Sequence, residues 1–365
     1  MIQGRELSDQ KFQMDSLDGL RGFAVLLVIL SHTSNWGIYL LPFANFSGNG
    51  KSGVILFFVL SSFLLTLPFV KKARKAASLR FLLSYFVRRF FRIYPLYLAY
   101  LLLGLLTSLF LWKITGAKSP VGIPFLLTPK EFINHLLLIQ GKGLTWSIIV
   151  EFHYYFLLPI LALTYSLLFN NRIIPSALLT IGLILASQLL WPQAQSLTND
   201  IRLGPYLPVF FTGSFLAVIW HQWEEKRLGT QRNLVIAVEI IGMMALATLF
   251  CMIPSVTRTL LNTDIPASYY QKQFMQYGFL WALVLFTCLA GCGLIKKFFE
   301  LNALRFLGFI SFSAYLLHLT AMLIIKKLMP GAPLQGWLIL ALTIAISTVT
   351  WLLIEKPTSK IRLIN

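Results

Sequence analysis

Charged residues are scarce in this sequence, and acidic residues are the scarcest. Only 12% of the 365 residues are charged, and 13 Asp and Glu stand against 31 Lys and Arg. Because a soluble globular domain carries about 25% charged residues, the composition excludes an ordinary soluble enzyme. The net charge of +18 would suggest nucleic acid in a soluble chain. Here the basic residues fall mostly in alternate loops, so we expect no nucleic-acid partner.

Cysteine is also scarce. All three cysteines, Cys251, Cys288 and Cys292, fall in apolar stretches. Cys288 and Cys292 lie on one predicted helical face, but no further metal-ligand types stand beside them. We interpret all three as small packing residues, and we expect no metal site and no permanently bound cofactor.

Long apolar runs dominate what is present, since 57% of the residues are hydrophobic. The runs have roughly the 17–25 residues that a helix needs to cross the hydrocarbon core of a bilayer. The sequence therefore predicts an all-α, multi-pass bundle of about ten transmembrane helices. The ten blocks are 20–36, 52–70, 88–112, 146–169, 173–191, 205–220, 233–253, 273–294, 303–327 and 333–354.

Charge also predicts the orientation of the bundle. The first 17 residues lack the parts of a cleavable signal peptide, so we expect the first helix to be retained. With the N-terminus inside, cytoplasmic segments hold twice as many Lys and Arg as external ones, which predicts that both termini are cytoplasmic. We divide the chain into a cytoplasmic tail over 1–17, a transmembrane domain over 18–355 and a second tail over 356–365.

The first block carries three ionisable residues in LDGLRGFAVLLVILSH (Leu17–His32). At 100° per residue, Asp18, Arg21 and His32 fall on one narrow stripe. Arg21 and His32 are three turns apart, about 16 Å along the axis. Ionisable groups at membrane depth are functional candidates because each is costly there. For Asp18, a simple pair with Arg21 at the helix end is an equally good interpretation.

The fourth block contains Glu151, which the predicted orientation places about 7 Å below the outer edge. Ser147 lies one turn above Glu151 on the same face. No Lys or Arg stands in this helix, so the carboxylate needs a partner from another helix. His153 points about 200° away from Glu151, which favours a structural or interfacial contact.

The ninth block places Ser311, Tyr315 and His318 on one stripe. Counted from the start of the block, His318 lies about 22 Å from the cytoplasmic edge. His32, Glu151 and His318 would then share a depth in the outer half. The sequence thus predicts one polar cavity that holds a base and a carboxylate to orient it.

Three arginines, Arg88, Arg89 and Arg92, stand where the third block enters the membrane. Positive charges at the cytoplasmic end of a helix are ordinary topology signals. The alternative is a phosphate clamp, because guanidinium groups match the geometry of phosphate oxygens.

Taken together, these segments resemble the acyltransferase-3 family of integral membrane acyltransferases. The family's hallmark is an Arg and a His with ten residues between them, and Arg21 and His32 match it. The likeness continues through nearly the whole chain, in the order Gly53–Thr66, Arg88–Tyr97, Trp146–Pro159, Ile310–His318 and Ile354–Pro357.

Two residues of the second helix depart from that family, which commonly has Asp where Ile55 stands and Gly where Ser62 stands. Many relatives also carry a fused extracytoplasmic hydrolase-like domain. Because the sequence ends ten residues after Glu355, we expect no such domain here.

The resemblance implies that an acyl group, usually acetyl, moves from cytoplasmic acyl-CoA to a hydroxyl of a cell-surface or lipid-linked carbohydrate, across a bacterial plasma membrane. His32 would act as general base or carry the acyl group, and Glu151 would orient it. The predicted substrate-binding residues are Arg21, Arg88, Arg89, Arg92, Ser147, Tyr315 and His318, with Asp18 and Trp146 as structural support.

A transporter or flippase of a lipid-linked saccharide is the alternative, since it too would have ten helices and a polar cavity. The stripe that links one arginine cluster to one histidine, and the lack of a visible inverted repeat, count against it. A binding-only scaffold would have no need of charges at depth.

Overall fold

The computed structural model describes residues 15–40, 44–115, 125–197, 199–263 and 265–361. Most of the predicted N-terminal tail (1–14) and the end of the C-terminal tail (362–365) lie outside these ranges. The described residues form helices and connecting segments with no β-strand, which confirms the predicted helical membrane bundle. The helices are α1 (Asp15–Asn35), α2 (Gly50–Lys72), α3 (Leu79–Thr115), α4 (Pro129–Leu136), α5 (Thr145–Leu163), α6 (Ile173–Leu190), α7 (Leu207–Glu225), α8 (Arg232–Cys251), α9 (Pro254–Leu261), α10 (Ala267–Tyr270), α11 (Phe274–Ala290), α12 (Leu294–Phe299), α13 (Asn302–Phe309), α14 (Ser311–Leu328), α15 (Gln335–Thr350) and α16 (Lys356–Thr358).

Among the described residues, eight helices are long and apolar enough to cross a membrane. They are α1, α2, α3, α5, α6, α8, α14 and α15. Four of them, α2, α5, α6 and α15, are counted together with the short helical turns that follow them. The two remaining predicted blocks correspond to α7, whose last turns carry polar residues, and to α11, which has only 17 residues. Each of the ten blocks thus contains an apolar helix, while eight meet the length and composition of a full span.

The ninth block is wrong as a single helix, because the chain breaks at Ile310 between α13 and α14. Helix α13 lies directly against the start of α1. A methyl group on Gly22 would collide with the carbonyl oxygen of Leu304, and one on Gly308 with that of Asp18. This backbone contact holds the first turns of α1, and with them Arg21, in place.

The spans form an inner group and an outer group. In the inner group, most of the apolar 18-residue stretch of each helix is buried: 78% in α2, 67% in α1, and 61% in α5 and in α14. In the outer group, the buried share of that stretch is only 17% in α6 and α15 and 22% in α8. The inner helices carry the predicted site residues, apart from the arginines of α3, so the outer helices shield the site from lipid.

Small and hydroxylated residues join α2 to α7. A methyl group on Gly213 would collide with the Oγ of Ser62, and Ser62 Oγ donates to the Phe58 carbonyl at 2.9 Å. Thr66 Oγ1 donates to Ser214 Oγ at 2.8 Å. Close packing and interhelical hydrogen bonds of this kind drive helix association in lipid. The serine that departs from the family pattern is therefore accommodated by a glycine on the facing helix.

Pro159 shapes α5 below the predicted site. Proline lacks an N–H, so the carbonyl four residues earlier, that of Tyr155, loses its helical donor. The hydroxyl of Tyr85 on α3 donates to this carbonyl at 3.2 Å. Because unsatisfied backbone groups are costly in lipid, this bond ties α3 to α5 beside Glu151.

Candidate functional site

Basic side chains from three helices gather around an opening, which we call the arginine mouth. Its charged lining residues are Asp18, Arg21, Arg88, Arg89, Arg92 and Lys356. Arg21 Nη1 lies 3.2 Å from Asp18 Oδ1, so the pair considered from the sequence is present. With a single carboxylate among these charges, the mouth is suited to an anionic ligand.

Arg92 is held by a residue to which the sequence analysis gave no role. Its Nη2 lies 3.2 Å from Oε1 of Glu355, whose side chain has no solvent exposure. Ser313 Oγ donates to the other carboxylate oxygen at 2.9 Å. Glu355 ends the π-helical turn Trp351–Glu355, a feature that is frequent at functional sites. Glu355 thus fixes one wall of the mouth.

A central cavity of about 110 Å³ continues inward from the mouth and shares Arg21, Arg89 and Arg92 with it. Glu151 lines this cavity and accepts a hydrogen bond of 2.7 Å from the Tyr155 hydroxyl. Ser147 and Tyr315 line it as well, with their hydroxyl oxygens 2.7 Å apart. Ser61 and Ser311 complete its polar wall.

A second cavity, of about 280 Å³, lies beyond the central one and shares Val54 and Tyr315 with it. We call it the histidine cavity, because His32 lines it together with Asn35, Lys51, Trp146 and Gln271. The mouth, the central cavity and the histidine cavity therefore follow one another in series. Their shared lining residues place them side by side between the arginine cluster and His32.

His32 is bonded to the other predicted histidine. Its Nδ1 lies 2.7 Å from Nε2 of His318, and the two rings are within 5° of parallel. His318 Nδ1 in turn lies 2.8 Å from the Tyr315 carbonyl oxygen and 3.2 Å from that of Ala314. Both histidines are therefore parts of one hydrogen-bonded chain that ends on the backbone of α14.

This chain assigns the tautomers of the neutral rings. A carbonyl oxygen can only accept, so His318 Nδ1 carries the proton and its Nε2 accepts. His32 Nδ1 is then the donor, and His32 Nε2 keeps its lone pair. A methyl group on Gly50 would lie 4.0 Å from this Nε2, and Gly50 lines the histidine cavity. The basic nitrogen therefore faces the cavity at Gly50.

The prediction that His32, Glu151 and His318 share one cavity is wrong, because Glu151 and His32 line different cavities. Among the described residues, no hydrogen bond or ion pair joins His32 to Glu151. Glu151 lies with the arginines in the central cavity, whereas His32 lies in the next one. The prediction that His32 and His318 share a depth agrees with their 2.7 Å contact, so the misplaced residue is Glu151.

Trp146 supports Lys51, which lies one residue before the predicted block 52–70. The Nζ of Lys51 lies 3.9 Å from the centroid of the Trp146 ring and donates to the Tyr206 hydroxyl at 3.2 Å. Lys51 is 8% exposed. In the sequence, Lys51 stands between Gly50 and the apolar run, and this position is the signal that could have identified it. In the structure, Lys51 lies inside α2.

Comparisons with known proteins identify the family of the chain. A family model described as an acyltransferase domain matches residues 14–355. The chain is 24% identical over 367 residues to the O-acetyltransferase OatA of Staphylococcus aureus, an alignment that covers 95% of this chain and 57% of that protein. It is 23% identical over 377 residues to the peptidoglycan O-acetyltransferase OatA of Listeria monocytogenes, covering 96% of this chain and 56% of that protein. The chain thus spans a little over half the length of these relatives. No solved structure matches it significantly.

Proposed function

Because the chain belongs to the acyltransferase-3 family, we propose that it is a membrane O-acyltransferase that acylates a hydroxyl of a cell-surface or lipid-linked carbohydrate. The names of the relatives favour acetyl as the group and a peptidoglycan sugar as the acceptor. The observation that carries the proposal is the series of cavities from the arginine mouth to His32.

We propose acyl-CoA as the donor. Its phosphates would bind at the arginine mouth, where Arg88 and Arg89 lie beside the Arg92–Glu355 pair. Guanidinium groups bind phosphate oxygens in a bidentate manner. The thin pantetheine arm would extend past Arg21 through the central cavity and bring the thioester to the histidine cavity. With the termini inside, the donor enters from the cytoplasm and the acceptor from outside the bacterial plasma membrane.

His32 is the proposed catalytic base. Its Nε2 takes the proton of the acceptor hydroxyl while the oxygen attacks the thioester carbonyl carbon. The carbon–sulfur bond breaks, and the CoA thiolate leaves and recovers that proton as a thiol. His318 holds His32 in the tautomer that this step needs, through the 2.7 Å contact. The Glu151–Tyr155 pair, joined by its own hydrogen bond, would contact the donor arm rather than orient His32.

The test is acyl transfer by the purified chain in lipid nanodiscs, with labelled acetyl-CoA and a peptidoglycan disaccharide. We expect release of CoA that depends on the acceptor, and labelled disaccharide as product. His32→Ala should lower the rate about 10²–10⁴-fold, the usual value of a general base. Near-normal transfer by His32→Ala would contradict the mechanism. Movement of a lipid-linked saccharide across vesicles without CoA release would instead support a transporter.

A further inference from the structure

Among the described residues that line the histidine cavity, Lys51 is the one Lys or Arg, and none is Asp or Glu. Its ammonium contacts the Trp146 ring face at 3.9 Å and the Tyr206 hydroxyl at 3.2 Å. The centroid of the Phe274 ring is 5.3 Å away. All of these partners are neutral. A buried charge with only neutral neighbours is costly, and a cation–π contact offsets that cost only in part.

Asp200 is the carboxylate whose charge acts on Lys51, but it is already paired with Arg202. Asp200 accepts hydrogen bonds from Arg202, at 3.0 Å from Nε and 2.6 Å from Nη2. Partial burial by itself raises the pKa of Asp200, but the hydrogen bonds and charge of Arg202 outweigh it and hold that pKa below its ordinary value. Asp200 and Arg202 therefore form a neutral pair, and no other described carboxylate acts as a counter-ion of Lys51.

The start of α2 adds to this positive field. Gly48, Gly50 and Lys51 line the cavity. The N-cap residue Asn49 makes no side-chain hydrogen bond to the first turn. The N-terminus of a helix carries partial positive charge and exposed N–H groups that favour anions. A lysine that served only as a topology anchor would extend to the polar headgroups, whereas Lys51 is buried with its ammonium over Trp146.

We propose that the histidine cavity binds an acceptor carrying an anionic group, a carboxylate or a phosphate, and that the Lys51 ammonium is the counter-ion of that group. Asn35, Asn199 and Gln271 line the same cavity and supply neutral polar groups suited to sugar hydroxyls. The anion holds the carbohydrate by one end, and the hydroxyl to be acylated lies against His32 Nε2. That the ligand is an acceptor rests on the proposed function, whereas the anion site itself rests only on the cavity.

The experiment measures binding without donor, so that it does not depend on acyl transfer. The full chain in nanodiscs is titrated calorimetrically with two matched pairs of ligands. The first pair is the N-acetylglucosaminyl–N-acetylmuramic acid disaccharide and its neutral methyl ester. The second is N-acetylglucosamine 1-phosphate and the neutral methyl glycoside of N-acetylglucosamine. The pair that is discriminated identifies the anion as carboxylate or phosphate.

We expect the charged member of at least one pair to bind about ten- to a hundredfold more tightly, the usual range for a hydrogen bond to a charged group. Lys51→Gln should reduce that preference to less than about threefold, and Lys51→Arg should retain most of it. Lys272→Gln is the matched control, since Lys272 lies outside the cavity lining and donates to the Ala194 carbonyl instead. Thermal unfolding of each variant checks the fold.

Equal binding of both members of both pairs by the unchanged protein would overturn the inference, even if Lys51→Gln failed to fold. A preference that persisted in a folded Lys51→Gln variant would also overturn it. Equal binding within both pairs, together with efficient acetyl transfer to the neutral ester, would overturn the inference and leave the proposed function standing. Lys51-dependent anion binding without any acyl transfer would leave the inference standing and remove the proposed function.

Discussion

His32 Nδ1 and His318 Nε2 lie 2.7 Å apart, although 286 residues separate them in the chain. His318 is fully buried and fixed by the Tyr315 carbonyl, whereas His32 lines a cavity. The contact therefore joins the buried ring of His318 to the ring of His32, whose Nε2 faces Gly50. His318 thus determines that Nε2 is the basic nitrogen of His32.

Removal of His318 should weaken catalysis without removing the base. In His318→Phe, His32 Nδ1 loses its acceptor, so the tautomer and ring orientation are no longer fixed, and we expect kcat to fall about ten- to a hundredfold. His318→Gln should retain more activity, because its amide oxygen can accept from His32 Nδ1. Steady-state acetyl transfer by folded variants checks this. Equal losses in the two variants would argue for a purely structural role.

The Arg92–Glu355 pair should be important for stability as well as for donor binding. Arg92→Met leaves the unexposed Glu355 carboxylate with only Ser313 as a polar partner. Breaking a buried pair on one side costs about 3–5 kcal/mol, and we expect the lower end because Arg92 is 31% exposed. The double variant Arg92→Met/Glu355→Leu should recover much of that loss in thermal unfolding. Additive losses would contradict the coupling.

Patterns within one helix were predictable from the sequence, but contacts between helices were not. The eleven-residue spacing places Arg21 and His32 on one face of α1 at opposite ends of the cavity series, as helical periodicity predicts. Glu151 was misplaced because its neighbouring arginines come from α1 and α3. Such neighbours depend on how helices cross.

Helix ends were the other source of error. Lys51 fell outside the predicted block 52–70, whereas α2 begins at Gly50, two residues before that edge. The ninth block concealed the break at Ile310, because both α13 and α14 are apolar. Hydropathy locates apolar segments but does not distinguish a continuous span from two helices that meet at an angle. Glu355 lies in the segment Ile354–Pro357 that resembles the family, but its pairing with Arg92 could not be predicted, since Arg92 lies on a distant helix.

The arginine mouth should determine the affinity for the donor. Arg89→Ala removes a guanidinium that lines both the mouth and the central cavity, and we expect the KM for acetyl-CoA to rise about ten- to a hundredfold. The KM for the carbohydrate should not change. Arg74→Ala is the control, because Arg74 is exposed in the short turn Ala73–Ala77 that follows α2. A donor KM that is the same in both variants would reduce Arg89 to a topology signal.

Gly50 should be required for access to the basic nitrogen of His32. A methyl group at this position would lie 3.2 Å from Ser31 Oγ and 4.0 Å from His32 Nε2, so the larger side chain of Gly50→Val projects into the space that the acceptor hydroxyl needs. A displacement of about 1 Å at a reacting group can cost about 10²-fold. We therefore expect acetyl transfer to fall at least tenfold, with the KM for acetyl-CoA unchanged. Gly182→Val on α6 is the matched control, since no atom lies within 4 Å of a methyl group placed there. Normal transfer by Gly50→Val would show that the acceptor does not approach His32 from this side of the cavity.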